Sequence, residues 1–261
     1  MDSLAASALG NLSLADYAII ALTAMVASAL STMSGVGGGF VIAAVLAPIV
    51  GMKALVPLIA VEAVFSNVNR MVFYWRGVNL RVALLVLLPS LPGSAIGAEI
   101  YNGLDQGAVA AILGSVLLIS VPLRRALTRR RWVAGTRTLV IVGFLYGIVG
   151  GASIGAGLAV IPLLLGAGLM GPALLGTDAV IGTFNSLFRS GTYALHGLLT
   201  LDILIAGILI GICTVPGSWV AAQIVKRTDI RLHTLFMEAL ILVGGGSFLW
   251  RAAQIWGWIG G

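Results

Sequence analysis

The chain has 261 residues, 59% of them hydrophobic and 9% charged, with a formal net charge of +6. Soluble domains carry roughly a quarter charged residues, so 15 basic and 9 acidic side chains cannot clothe a water-facing surface of this size. The composition excludes a soluble enzyme and a nucleic-acid-binding domain, and it places the chain in a bilayer. The positive charge is also clustered. Arg124, Arg125, Arg129, Arg130, Arg131 and Arg137 fall within fourteen residues that hold no acid, between apolar segments. That is the pattern of a cytoplasmic loop under the positive-inside rule, not of a nucleic-acid surface. The lone Cys213 leaves no intrachain disulfide and no thiolate metal cluster.

Residues 1–16 carry Asp2 and Asp16 but no Lys or Arg, the wrong charge for a secretory signal, and read as an N-terminal tail. Ten apolar stretches follow: Tyr17 to Met33, Phe40 to Val50, Ala54 to Phe73, Val82 to Ala98, Ala108 to Leu123, Leu139 to Val149, Leu158 to Leu169, Leu174 to Tyr193, Ile203 to Val225 and Leu235 to Trp250. Five or six of these are long enough to span, since a helix needs about 20 residues to cross the hydrocarbon. Phe40 to Val50, Leu139 to Val149 and Leu158 to Leu169 are too short, and each abuts a glycine-rich break. Two readings stand for the breaks. Irregular backbone at membrane depth lines an interior site, or the glycines let helices pack closely.

The breaks also resemble each other. Gly37-Gly38-Gly39-Phe40-Val41-Ile42 faces Gly155-Ala156-Gly157-Leu158-Ala159-Val160. Phe65, Arg70 and Tyr74 then match Phe184, Arg189 and Tyr193, and Pro92-Gly93-Ser94 matches Pro216-Gly217-Ser218. The chain therefore reads as a duplication: 17–123 and 139–250 as two transmembrane repeats of about five hydrophobic segments each, 124–138 as a basic cytoplasmic loop, and 251–261 as a C-terminal tail. Equivalent turns carry opposite charge. Glu99 and Asp105 follow the Pro-Gly-Ser helix in the first copy, against Lys226, Arg227, Asp229 and Arg231 in the second. Arg70, Arg76 and Arg81 likewise face a partner loop with only Arg189, His196 and Asp202. The expectation is an all-α polytopic membrane protein with inverted-topology repeats, both termini outside, and broken or re-entrant helices at the repeat interface. Trp250, Trp256 and Trp258 read as an interfacial belt.

The string Ser34-Gly35-Val36-Gly37-Gly38-Gly39-Phe40, its looser copy ending in Val160-Ile161-Pro162, the helix beginning Ala173-Leu174-Leu175-Gly176-Thr177 and the basic central loop resemble the TauE/SafE family. The resemblance runs from about Tyr17 to Trp250. Two departures are visible: Ala44 replaces the family's usual proline after the first glycine string, and Ala156 interrupts the second. The resemblance implies a multi-pass permease of the bacterial inner membrane and a small sulfur-containing oxyanion as substrate, such as sulfite, sulfoacetate or a similar sulfonate. Alternating access would move it, without a cofactor or metal. Its partners are then that anion and membrane lipid, with a homo-oligomer left open.

Ionisable groups inside spans usually face a cavity or a partner. Helical spacing puts Glu62, Ser66, Asn69 or Arg70, and Tyr74 on one face, and Asp178, Gly182, Asn185 and Arg189 on another. Arg70 and Arg189 have the guanidinium forks that match an oxyanion. Ser66, Asn67, Asn69, Thr183, Asn185 and Ser186 offer neutral donors, and backbone N–H groups near Gly38, Gly39 and Gly157 offer helix starts. The alternatives are arginines that snorkel to the interface and Asn or Ser side chains that bond helix to helix. Glu62 and Asp178 are the proton-coupling candidates; equally, Asp178 can pair with an arginine or cap the helix after Gly176.

Two other functions compete. A rhomboid-like serine protease wants Gly-x-Ser-Gly, and Thr32-Met33-Ser34-Gly35 lacks the leading glycine, while His196 and His233 read as solvated or interfacial. An anion channel is the third reading, although inverted repeats with broken helices favour alternating access. No His-Glu-x-x-His site and no phosphate-binding loop are present, so the chain is not itself an ATPase. Cysteines placed at Asp105 and Thr228 are expected to react with an impermeant thiol reagent from opposite sides of the membrane; same-side labelling refutes the inversion.

Overall fold

The computed structural model describes residues 14–34, 38–129, 133–154, 157–224 and 230–259. Residues 1–13 of the N-terminal tail, Gly35, Val36, Gly37, Gly155, Ala156, Arg130, Arg131, Lys226, Arg227, Thr228 and Asp229, which figure in the sequence reading, lie outside these, whereas 14–16, read as tail, begin a helix. The side chains of Ser34, Arg124, Arg231 and His233 lie outside them too. Among the described residues, ten α-helices stand in the place of the ten apolar stretches: α1 Leu14–Ser34, α2 Gly38–Val50, α3 Met52–Tyr74, α4 Leu80–Gly103, α5 Gln106–Arg129, α6 Thr136–Ala152, α7 Gly157–Gly166, α8 Gly171–Leu195, α9 Leu201–Ile224 and α10 Ile230–Ile255. A 3-10 turn, Trp75–Gly77, follows α3.

Among the described residues, four segments are both long and apolar enough to cross a membrane: Met52–Gly77, Leu80–Gly103, Gln106–Leu123 and Leu201–Trp219. Five or six were expected. α8, at 25 residues, is long enough but breaks its apolar sequence with Asp178, Thr183, Asn185, Ser186 and Arg189, all buried. Its polarity is tolerable because that face meets protein instead of lipid.

Local chemistry sets the ends. The Asn79 side chain accepts from Val82 N at 3.1 Å to start α4, and Asp105 accepts from Ala108 N at 2.7 Å to start α5. α7 stops before the expected Leu169 because Gly168 takes φ +84°. Leu169 N then donates to Leu164 O at 3.0 Å and Gly168 N to Leu165 O at 2.9 Å, a Schellman closure. Gly197, φ +68°, ends α8 the same way.

Close approaches fix the packing directions. A β-carbon on Gly77 would meet the Pro172 backbone at 2.8 Å, one on Gly176 would meet Tyr74 O at 2.6 Å, and one on Gly182 the Asn67 side chain at 2.7 Å. α3 and α8 therefore run antiparallel. α5 and α10 are antiparallel too, since Gly107 lies against Trp256, Gly114 against Gly245, and Arg125 against Glu238. α4 and α6 run parallel: Gly93 and Gly97 abut Phe144 O and Ile148 O, while Gly143, Gly147 and Gly151 abut Val86 O, Ser90 O and Ser94 O. This is close packing through small residues at four-residue spacing, the second of the two roles open to the glycines. α1 and α9 meet where Gly217 abuts Met25 O and Ser28 donates to Thr214 O at 2.6 Å. α3 also packs on α9, and α8 on α4.

Gly147→Ala is expected to lose about 1–3 kcal/mol through overpacking against Ser90, whereas Gly246→Ala, with nothing within 4 Å, should not. Thermal unfolding in detergent compares the two, and equal midpoints would rule out the glycine contact as a packing determinant.

Candidate functional site

The polar faces of α3 and α8 meet inside the bundle. Arg70 is 5% exposed, Glu62 2%, Asp178 6% and Arg189 7%. Neither arginine snorkels. Arg70 Nη1 donates to Asp178 Oδ2 at 2.9 Å, and its Nη2 donates to Asn67 Oδ1, one turn back on its own helix. Asp178 thus pairs with an arginine, one of its two alternatives. A charge pair removed from water holds only when geometry and additional hydrogen bonds offset the desolvation, and Asn67 supplies such a bond.

Arg189 is held differently. Its Nη1 donates to Gly150 O and, at 3.3 Å, to Ser153 O. These are carbonyls at the end of α6, where the helix breaks before α7. A cation there meets orphan carbonyls and the negative end of the helix dipole. Tyr193 adds a hydrogen bond to Gly151 O, so α8 ties down three carbonyls of that break. Arg189 Nε remains buried without a partner among the described residues, as do Ser190 Oγ and Asn69 Nδ2. The Glu62 carboxylate lies within electrostatic reach of both guanidinium groups, and Tyr146 of α6 within reach of Arg70, Arg189 and Asp178.

The neutral candidates divide. Asn185 Nδ2 donates to Ser90 Oγ and Ser94 Oγ, both at 2.9 Å, and so bonds α8 to α4. Thr183 Oγ1 donates to Ala179 O in its own helix at 2.8 Å. Ser66, Asn67 and Ser186 are buried on the shared face, and Asn69 is half-buried beside it. Of the glycines, Gly38 is buried, Gly39 would place a β-carbon 3.2 Å from Ile59 Cγ2, and Gly157 has open space around it.

Several participants were not singled out from the sequence. Thr177 accepts from Asn79 N at 3.0 Å, joining the start of α8 to the start of α4. Ser94 carried a signal, standing in the duplicated Pro-Gly-Ser; Ser90, one turn earlier, carried only its spacing. The carbonyls of Gly150 and Ser153 carried none. His196 Nε2 lies 3.0 Å from Oε2 of the exposed Glu99, at the far end of α8.

Membrane-crossing helices closed around a buried, mutually compensated set of charges form a polytopic membrane transporter. Comparison with known proteins gives the same class. Residues 20–248 match the family described as sulfite exporter TauE/SafE, and the chain belongs to that family. A protein named probable membrane transporter protein YjnA, from Bacillus subtilis (strain 168), is 26% identical over 87% of this chain and 97% of its own length. No solved structure matches.

Asp178→Asn, which deprives Arg70 of its carboxylate, is expected to destabilise the fold by about 3–5 kcal/mol, and the double change Arg70→Leu with Asp178→Leu to recover most of it. Thermal unfolding of the purified variants reads the order; a double variant as unstable as the single one would disprove the compensation.

Proposed function

We propose that the protein carries a small sulfur-containing oxyanion, such as sulfite, sulfoacetate or a similar sulfonate, across the bacterial inner membrane by alternating access between two inverted halves. The observation that carries this reading is the pair of buried guanidinium groups on the antiparallel helices α3 and α8, at positions the internal repeat aligns. Packing supports the two-fold relation. α4 packs on α6 as α9 packs on α1, and α3 on α9 as α8 on α4, the same pairs with the halves exchanged. The breaks before α2 and α7 then flank the substrate path.

Charge balance gives the mechanism its form. Glu62 and Asp178 offset Arg70 and Arg189, so the empty site is formally neutral. An oxyanion that takes Arg70 from Asp178, or Arg189 from the carbonyls of α6, brings an unbalanced negative charge into a low-dielectric interior. A proton taken up by Glu62 or Asp178 restores neutrality, which couples anion and proton movement. The competition also links occupancy to shape, because an Arg189 bound to substrate no longer holds the end of α6.

Purified protein in liposomes is expected to move labelled sulfite, with Arg70→Ala and Arg189→Ala each abolishing transport and Glu62→Gln flattening its pH dependence. Undiminished transport in both arginine variants would discard the anion site, and an unchanged pH profile in Glu62→Gln would discard Glu62 as the coupling group.

A further inference from the structure

A second cluster of anion-binding chemistry lies at the opposite end of the bundle from the arginine-rich loop. α5 starts there at Gln106 and α10 ends there, with Trp256 against Gly107. A cavity of about 360 Å³ opens between four helices: Pro48 of α2, Gly51 and Met52 at the turn into α3, Gln106 of α5, and Arg251 and Gln254 of α10. Its polar side chains are one guanidinium and two carboxamides, brought together from two helices distant in sequence.

Among the described residues, no acid lines this cavity. The nearest one in sequence, Asp105, is engaged in capping α5 through Ala108 N. Arg251 is half-buried and, among the described residues, meets no carboxylate and makes no hydrogen bond. Gly51, the residue before α3, lines the cavity and offers that helix start no side-chain cap. An apolar wall from α2, a fork-shaped cation and neutral donors without a competing acceptor match a compact oxyanion.

We propose that this cavity is a second oxyanion site, separate from the Arg70 and Arg189 cluster, with Arg251 as its ion-pairing donor and Gln106 and Gln254 as supporting donors. Its use as the first or last stop of a transported anion rests on the proposed function. Its capacity to bind an oxyanion does not. The same chemistry serves a free oxyanion or the phosphate of a lipid headgroup.

Inorganic sulfate titrated calorimetrically into the full-length protein tests the site, in nanodiscs of phosphatidylcholine and again with phosphatidylglycerol added. Saturable binding is expected, weakened about tenfold or more in Arg251→Gln, with an unchanged melting temperature and partial recovery in Arg251→Lys. Gln254→Ala gives a second, milder loss that does not depend on the arginine variant folding. Binding indifferent to phosphatidylglycerol assigns the site to a free oxyanion, and binding abolished by that lipid assigns it to a headgroup phosphate. Sulfate affinity equal to wild type in both Arg251→Gln and Gln254→Ala, or no saturable binding in either disc, overturns the proposal. Because the titration reads binding alone, it can succeed where sulfite transport fails, and the reverse.

Discussion

The ion pair between Arg70 and Asp178 is the constraint from which the rest of the site follows. Two charges in an apolar interior lose several kcal/mol each in hydration, and only a partner on a neighbouring helix can offset that. The pair fixes α3 against α8 in one antiparallel register, with Gly77 on Pro172 at one end and Asn67 on Gly182 nearer the middle. Those glycines allow the approach, and the approach brings Glu62 and Arg189 into the same field. The polarity that keeps α8 from reading as a membrane span is what gives the bundle an interior with chemistry in it.

The two arginines aligned by the repeat meet the same demand by different means. Arg70 has a carboxylate, and Arg189 has backbone carbonyls at the broken end of α6. The last carbonyls of a helix lack intrahelical partners, so Arg189 and Tyr193 satisfy the end of α6 as much as it satisfies Arg189. The acids do not match as the arginines do: at the spacing that matches Arg70 to Arg189, Asp178 falls on Ile59 and Glu62 on Ile181. Each helix carries one acid and one arginine, but the ion pair forms between the helices, Arg70 of α3 with Asp178 of α8.

The helices were legible in the sequence because a bilayer imposes a simple rule on composition, and all ten apolar stretches became helices. The polar faces of α3 and α8 were legible from four-residue spacing and do meet. The partners of Arg189 were not, since a backbone carbonyl has no letter in the sequence. Asn185 read as a substrate donor or, more readily, a helix tie, but its partners Ser90 and Ser94 could not be named because that choice depends on α4 lying beside α8. The end of α7 was placed three residues late, since an apolar run continues through the glycine whose positive φ stops the helix. A cavity such as that at Arg251 depends on helices far apart in the chain, and the sequence alone marked it only as part of a C-terminal tail.

The contact between α1 and α9 has a consequence for synthesis. Ser28 reaches Thr214, 186 residues further along the chain. Helix α1 cannot form this contact until most of the later described helices have been made. α4 meets α6 much sooner, through glycines some fifty residues apart. Assembly in the membrane therefore has a built-in order: the centre closes first, and α1 is docked by one of the last helices to arrive. A chain truncated before α9 would leave α1 without that docking partner and expose its packing face, a signature by which quality control can distinguish an unfinished copy from a finished one.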